Sequence, residues 1–363
     1  MTALPDITTA ADLAAAHAEK ADRNAHLDDT VIQALTGSGL PRHFTPRQWG
    51  GTQGTFTEAL TAITELSRAD PSAGWCAAIT TSMSRVAAFL PPDGQHTLWS
   101  TSPDQLIAGT LQPAGHTTET DGGWILNGTW PFVSSADHAH RALLCTTTGS
   151  QQRLLLIPSA AWTITDTWDT PGLRATASHT ITVDNYFVPT SHSLSRRRLF
   201  AGRHASLTAS CYNLPHEAVS ALFFAAPLLG AAQALLAQTE EHARHTGHAD
   251  GPALATAAGQ IDAAELLLTR AANTADQTTR PTDELVLRSR RDYALAANLL
   301  TEAGTRLFHH AGVRAASSGG RLPRLWRDLT TASLHPALHM QQPAVAYTER
   351  LLSPPHDEAL SRP

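Results

Sequence analysis

The 363-residue chain reads as an α+β protein in three blocks. These are an N-terminal α-helical domain (1–104), a central β-sandwich or barrel (105–203) and a C-terminal four-helix bundle (204–363). Three observations predict this. In the first hundred residues, apolar side chains recur at helical spacing. From Leu106 the period shortens to that of strands, in short runs divided by turn residues. From Ala205 long apolar-rich stretches return, with breaks at Gly247–Pro252, Pro281 and Gly312–Pro323. Strands set between two helical blocks are the mark of segregated layers.

In chain order, Thr8–Gly37 is expected as one amphipathic helix, with Leu13, His17, Leu27, Val31, Ile32 and Leu35 in its apolar stripe. Gly37-Ser38-Gly39 stops it, and Leu40–Gly54 is a loop rich in Pro and Gly. Thr57–Arg68 puts Leu60, Ile63 and Leu66 on one helical face. Asp70-Pro71-Ser72 is a helix-start signal, and Ala73–Phe89 a buried helix. A short helix ends at Leu98-Trp99. The expected strands are Ile107–Leu111, Trp124–Leu126, Thr129–Val133, Arg141–Thr146, Leu154–Ile157, Thr163–Trp168 and Thr180–Val188. Asn127-Gly128 predicts a hairpin turn between the second and third, and Pro131 an edge or a bulge. Asp184-Asn185 predicts a turn in the last. Thr176 and Ser178 are expected on one side of that strand. Arg196-Arg197-Arg198 lies on a solvated loop or forms an anion clamp. The bundle helices are Ala218–His245 (kinked or restarted at Pro227), Leu254–Asp276, Asp283–Phe308 and Arg324–Leu352. A loose tail is expected from Pro354.

Composition narrows the function. A net charge of −6 leaves no nucleic-acid footprint. No signal peptide or uncharged apolar run of membrane-spanning length is visible. Three cysteines without a CxxC pair fit a reducing compartment, so a cytoplasmic protein is expected. The nineteen histidines are scattered and no HExxH occurs, so no metal site is expected.

The most informative stretch is Asn127–Ala139, NGTWPFVSSADHA. Two hydroxyls end an apolar strand there and could bond a polar ligand edge, while Phe132 and Val133 supply a flat apolar wall. This stretch resembles the flavin-facing segment of the acyl-CoA dehydrogenase superfamily, and within it the two-component flavin-dependent monooxygenases. GLRATASHTITVDNYFVP (Gly172–Pro189) and RLPRLWRD (Arg321–Asp328) resemble two further segments of that family in the same order. The PRQWGG loop and SAGWCAA are similar to others. The resemblance implies that Phe132, Val133, Ser134 and Ser135 bind the isoalloxazine, with the Ser134 hydroxyl near flavin N5. Trp75 would then reach the substrate pocket, unless it is simply a core residue.

The same resemblance frames the chemistry. Many acyl-CoA dehydrogenases carry a glutamate base eight residues after the RD aspartate, and here Pro336 takes that place. Proline has no acid–base group. His335 stands beside it, where related monooxygenases often have a histidine, and an imidazole can hold or supply a proton near neutral pH. His335 and Ser134 are the expected catalytic pair. No GxGxxG is present for NAD(P)H. The implied cofactors are therefore reduced flavin (FMNH2 or FADH2) and O2, with a separate flavin reductase and a small organic substrate as partners. A homo-oligomer, dimer or tetramer, is expected. The rival readings are an acyl-CoA or acyl-carrier dehydrogenase with its base elsewhere, and a flavin- or ligand-binding scaffold without turnover.

Overall fold

The computed structural model describes residues 6–202, 209–247, 250–278, 281–315 and 320–352; the tail expected from Pro354 lies outside them. The expected first helix is two. Helix α1 (Ile7–Asn24) ends where Ala25 turns left-handed at φ 52°. Helix α2 (Asp29–Gly37) restarts because the Asp28 carboxylate accepts from Thr30 N. Thr55 and Glu58 close a capping box on α3 (Phe56–Ala69). Asp70 caps α4 (Pro71–Ala87), every residue of which is buried. The short helix is α5 (Pro92–Trp99).

Among the described residues eight strands follow: β1 (Ile107–Thr110), β2 (His116–Thr120), β3 (Gly123–Val133), β4 (Arg141–Thr148), β5 (Gln151–Pro158), β6 (Thr163–Thr165), β7 (His179–Pro189) and β8 (Ser193–Ser195). They join into one mixed sheet in the order β6-β7-β3-β2-β4-β5-β8, with β1 parallel beside β4. Period-two burial sorts β4 between two cores. Leu143 and Cys145 face the helices. Ala142 and Leu144 join Trp130, Leu155, Ile157 and Ile181 in a core shared by β3, β4, β5 and β7. Strand β2 escaped sequence reading because it is mostly exposed and has no apolar alternation.

The hairpin at Asn127-Gly128 does not form, nor does the turn at Asp184-Asn185. Strands β3 and β7 run straight through both, and the two sites face each other. Pairing slips from Leu126↔Tyr186 to Gly128↔Val183, a bulge that takes one extra residue from β7. Asn127 Oδ1 accepts from Asn185 N at 2.8 Å, and Asn185 takes the positive φ, 48°. Gly128 is needed for close approach: a Cβ there would lie 2.4 Å from Gly115 Cα.

The Arg196–Arg198 run starts a helix, α6 (Arg196–Ala201), not a loop; Arg196 lies over the Phe200 ring at 4.0 Å. After a one-turn α7 (His216–Val219) come α8 (Leu222–Thr246), α9 (Gly251–Gln277), α10 (Asp283–His310), a one-turn α11 (Gly312–Ala315), α12 (Arg321–Ser333) and α13 (Gln341–Leu352). Helices α8, α9, α10 and α12 form the bundle, and α8 also packs on α3 and α4. Pro227 lies inside α8. The apolar stretch His216–Thr246 is long enough to cross a membrane, but 78% of its most apolar window is buried inside the protein, as in a core helix. The expected Arg324–Leu352 helix is divided into α12 and α13. His335 caps the 3-10 turn Pro336–Leu338 between them, its Nδ1 accepting from Ala337 N at 3.2 Å.

Candidate functional site

Three regions distant in sequence meet at Trp75 on α4. Its indole Nε1 donates to Ser134 Oγ at 3.1 Å, at the end of β3. Its ring meets the His335 ring edge-on at 5.7 Å, and the Phe224 ring of α8 at 5.4 Å. His335 stacks on Phe224 at 3.7 Å and 21°. The strand end and the histidine of the α12–α13 junction therefore border one place. Trp75 itself is 6% exposed.

Ser134 begins a chain of hydroxyls. Its Oγ lies 2.7 Å from Ser178 Oγ, which lies 2.7 Å from Thr176 Oγ1, which donates to Leu173 O at 2.9 Å. The two ends fix the direction. An indole N–H can only donate and a carbonyl can only accept. Thr176 spends its single proton on Leu173, so Ser178 donates to Thr176 and Ser134 donates to Ser178. Ser134 is thereby left with one free lone pair and no free proton. Thr176 and Ser178 precede β7 and are not part of it. Ala177 between them is left-handed (φ 44°), which brings both hydroxyls to one side.

The backbone around this chain is strained. Seven non-glycine residues among those described have positive φ, and four of them are Phe132, Ser135, Leu173 and Ala177. Such strain collects where a site over-determines the chain. Phe132 is 71% exposed and meets the Trp168 ring edge-on at 6.2 Å. Val133 is fully buried in the sheet core, so the apolar wall is Phe132 alone and Val133 offers only its backbone. Ser135 donates its N–H to Thr176 O at 2.9 Å. Ser135 also lines a narrow cavity with Cys76 and His138.

The RD pair of α12 clamps the Gly172–Ser178 loop. Asp328 Oδ1 accepts from Leu173 N at 2.6 Å. Arg327 donates to Pro171 O at 2.7 Å and pairs with Asp22 at 2.7 Å. Gly172 is pressed so close to α12 that a Cβ would sit 2.1 Å from Arg327 O. Burial, and after it the nearby Asp70, push the Asp328 carboxyl up to about 7. Burial pulls the His335 imidazole down to about 4, with His339 adding to it, so the ring is neutral at pH 7. Because Nδ1 accepts from Ala337, the proton resides on Nε2.

The sequence carries no signal for Phe224, one apolar residue in a long apolar helix, or for Trp168. Thr176 and Ser178 stand out in the sequence as hydroxyls, but nothing there connects them to Ser134.

A helical–β–bundle protein with a strained strand end, an exposed ring and a neutral imidazole around one tryptophan has the form of a site for a flat heteroaromatic ring. Family models for the acyl-CoA dehydrogenase N-terminal and C-terminal domains match residues 8–90 and 222–340, together more than half of the chain. The chain is 29% identical over 350 residues to the flavin-dependent monooxygenase, oxygenase subunit HsaA of Rhodococcus jostii, covering 88% of this chain and 90% of that protein. It is 27% identical to the oxygenase component of an FADH2-dependent resorcinol hydroxylase from a Rhizobium species, covering 90% and 88%. Among solved structures, XiaF from a Streptomyces species, in complex with FADH2 and glycerol, superposes with a TM-score of 0.89 at 25% identity, covering 97% and 96%. The chain belongs to the acyl-CoA dehydrogenase superfamily, among relatives that are oxygenase components of flavin-dependent monooxygenases.

Proposed function

We propose that this protein is the oxygenase component of a two-component monooxygenase. It would take reduced flavin from a separate reductase and hydroxylate a small aromatic substrate, preferably a phenol. The observation that carries this is the shared contact of Ser134 and His335 with Trp75, which brings a hydrogen-bond acceptor and a neutral N–H donor to one aromatic cluster.

The residues fit a flavin. Phe132 is an exposed ring at a strained strand end, and Ser134 has a free lone pair suited to an N–H donor such as N5–H of a reduced isoalloxazine. When bound, the reduced flavin supplies the two electrons that activate O2. The protein's part is to position and to manage protons. Phe132 and the backbone of Val133 and Ser134 support the ring, and the hydroxyl chain keeps Ser134 an acceptor. His335 holds a proton at Nε2 for transfer to a developing oxyanion, or keeps a phenolic oxygen oriented. Phe224 and Trp75 give a planar substrate two apolar faces and exclude water.

The dehydrogenase reading is weaker. Pro336 occupies the expected base position, and the buried Asp328 is committed to Leu173 N. A cytoplasmic location accords with three buried, unpaired cysteines. A homo-oligomer accords with exposed apolar residues on the outer bundle, such as Leu266 and Leu295.

The test supplies anaerobically reduced FMN or FAD, then 18O2, with a panel of phenols. One 18O atom in the product, strongly diminished in His335→Ala, is the expected result. If neither reduced flavin binds in anaerobic titration, the proposal fails whatever the substrate.

A further inference from the structure

Away from the cleft, the turn between α1 and α2 meets the loop that follows β3. His26 comes from the turn, Asp29 from the first residue of α2 and His138 from the loop. One ligating atom of each lies within 4.8 Å of those of the other two. The His26 and His138 ring centroids are 4.5 Å apart. His138 is the anchored member: its side chain is only 10% exposed, and its Nε2 is buried without a hydrogen-bond partner. Buried ring nitrogens are normally satisfied, so an orphan in a cluster of two imidazoles and a carboxylate calls for a partner. Asp137 stands behind His26, 2.8 Å from its Nδ1, and lies 3.6 Å from His138 Nε2, beyond hydrogen-bond distance. A carboxylate on the far nitrogen is the usual support of a metal-binding histidine, because it fixes the tautomer and leaves Nε2 for the ion.

We propose that His26, Asp29 and His138 bind one divalent transition ion of the zinc class, with Asp137 orienting His26. Imidazole nitrogen and carboxylate oxygen are the donors that Zn2+, Co2+ and Ni2+ accept. Ligand atoms around tetrahedral zinc stand about 3.3 Å apart, given bonds of about 2.0–2.1 Å. The three must therefore draw in from their present spacing. His26, held at Nδ1 by Asp137, and Asp29 are both exposed and can swing inward, while His138 stays packed. Three protein ligands leave a fourth position for water. The ion would tie the N-terminal helices to the loop that begins at Ser134-Ser135, beside the cleft. The sequence conceals the site because two ligands lie three residues apart and the third is far along the chain.

The experiment strips the full-length protein of metal, dialyses it to equilibrium against Zn2+ or Co2+, and counts bound ions per chain. It compares wild type, His26→Ala, Asp29→Ala, Asp137→Asn and His245→Ala, the last as a control for the other histidines. One ion per chain is expected in wild type and in His245→Ala. Loss of that ion is expected in His26→Ala and Asp29→Ala, with about tenfold weaker binding in Asp137→Asn. The melting temperature should rise with Zn2+ in wild type and not in His26→Ala. His26 and Asp29 are exposed, so both variants should fold, and their far-ultraviolet circular dichroism checks this. No stoichiometric ion in wild type, or an ion retained at full occupancy in His26→Ala, overturns the proposal.

Discussion

Ser178→Ala tests the hydroxyl chain most sharply, because Ser178 touches only other hydroxyls in it. The change removes the bonds of 2.7 Å to Ser134 and 2.7 Å to Thr176. Thr176 keeps its own donated bond to Leu173. Ser134, 6% exposed, loses the acceptor for its proton. A buried donor left unsatisfied costs about 1–3 kcal/mol, and that is the expected loss in urea unfolding at unchanged m-value. The freed proton is no longer held on Ser178 and, turned toward the cofactor, opposes an N–H aimed at the remaining lone pair. Losing one hydrogen bond of about 0.5–1.5 kcal/mol should weaken reduced-flavin binding roughly two- to twelvefold in anaerobic titration. A Ser178→Ala protein as stable as wild type, with unchanged flavin affinity, would refute the directed chain.

Three further outcomes follow from the same geometry. Phe224→Leu keeps an apolar residue but removes the stack on His335; the imidazole should titrate above its present value of about 4, visible by NMR, and hydroxylation yield should fall. Gly172→Ala sets a Cβ against the Arg327 carbonyl at 2.1 Å, and since both are backbone a destabilisation of about 1–3 kcal/mol is expected in thermal or urea unfolding. Asp328 keeps its proton in the folded chain to about pH 7, whereas the unfolded chain releases it near 3.8; its contribution is therefore fully present below that lower value and is lost as pH rises through about 7. Asp328→Asn should flatten that part of the stability–pH curve, and an unaltered slope would count against a neutral buried carboxyl.

The three-block order was legible because helical and strand periods differ by almost a factor of two, and each block holds its period for dozens of residues. Local chemistry was less so. Asn-Gly is the preferred two-residue hairpin turn, yet Asn127 and Gly128 answer a bulge in β7 and the close approach of Gly115. Both are tertiary demands that a single segment does not display. The break at Ala25 was hidden because alanine is a strong helix former, and its left-handed φ is imposed by the neighbouring structure. Within the site, Ser134, Trp75 and His335 could each be singled out, but their meeting could not, since nearly sixty residues separate the first two and two hundred the last. Val133 was misread because alternation along β3 gives every second side chain to the sheet core, and the reversed backbone at Phe132 decides which residue faces out. Phe224 had no distinguishing pattern on an apolar helix. Only the contact with His335 marks it.

The most direct measurement is a crystal structure with anaerobically bound reduced flavin. The isoalloxazine should lie against Phe132, with Ser134 Oγ within hydrogen-bonding distance of a ring N–H and His335 Nε2 facing the same cleft. A flavin seated elsewhere, with Ser134, Trp75 and His335 unmoved and untouched, would contradict the central claim.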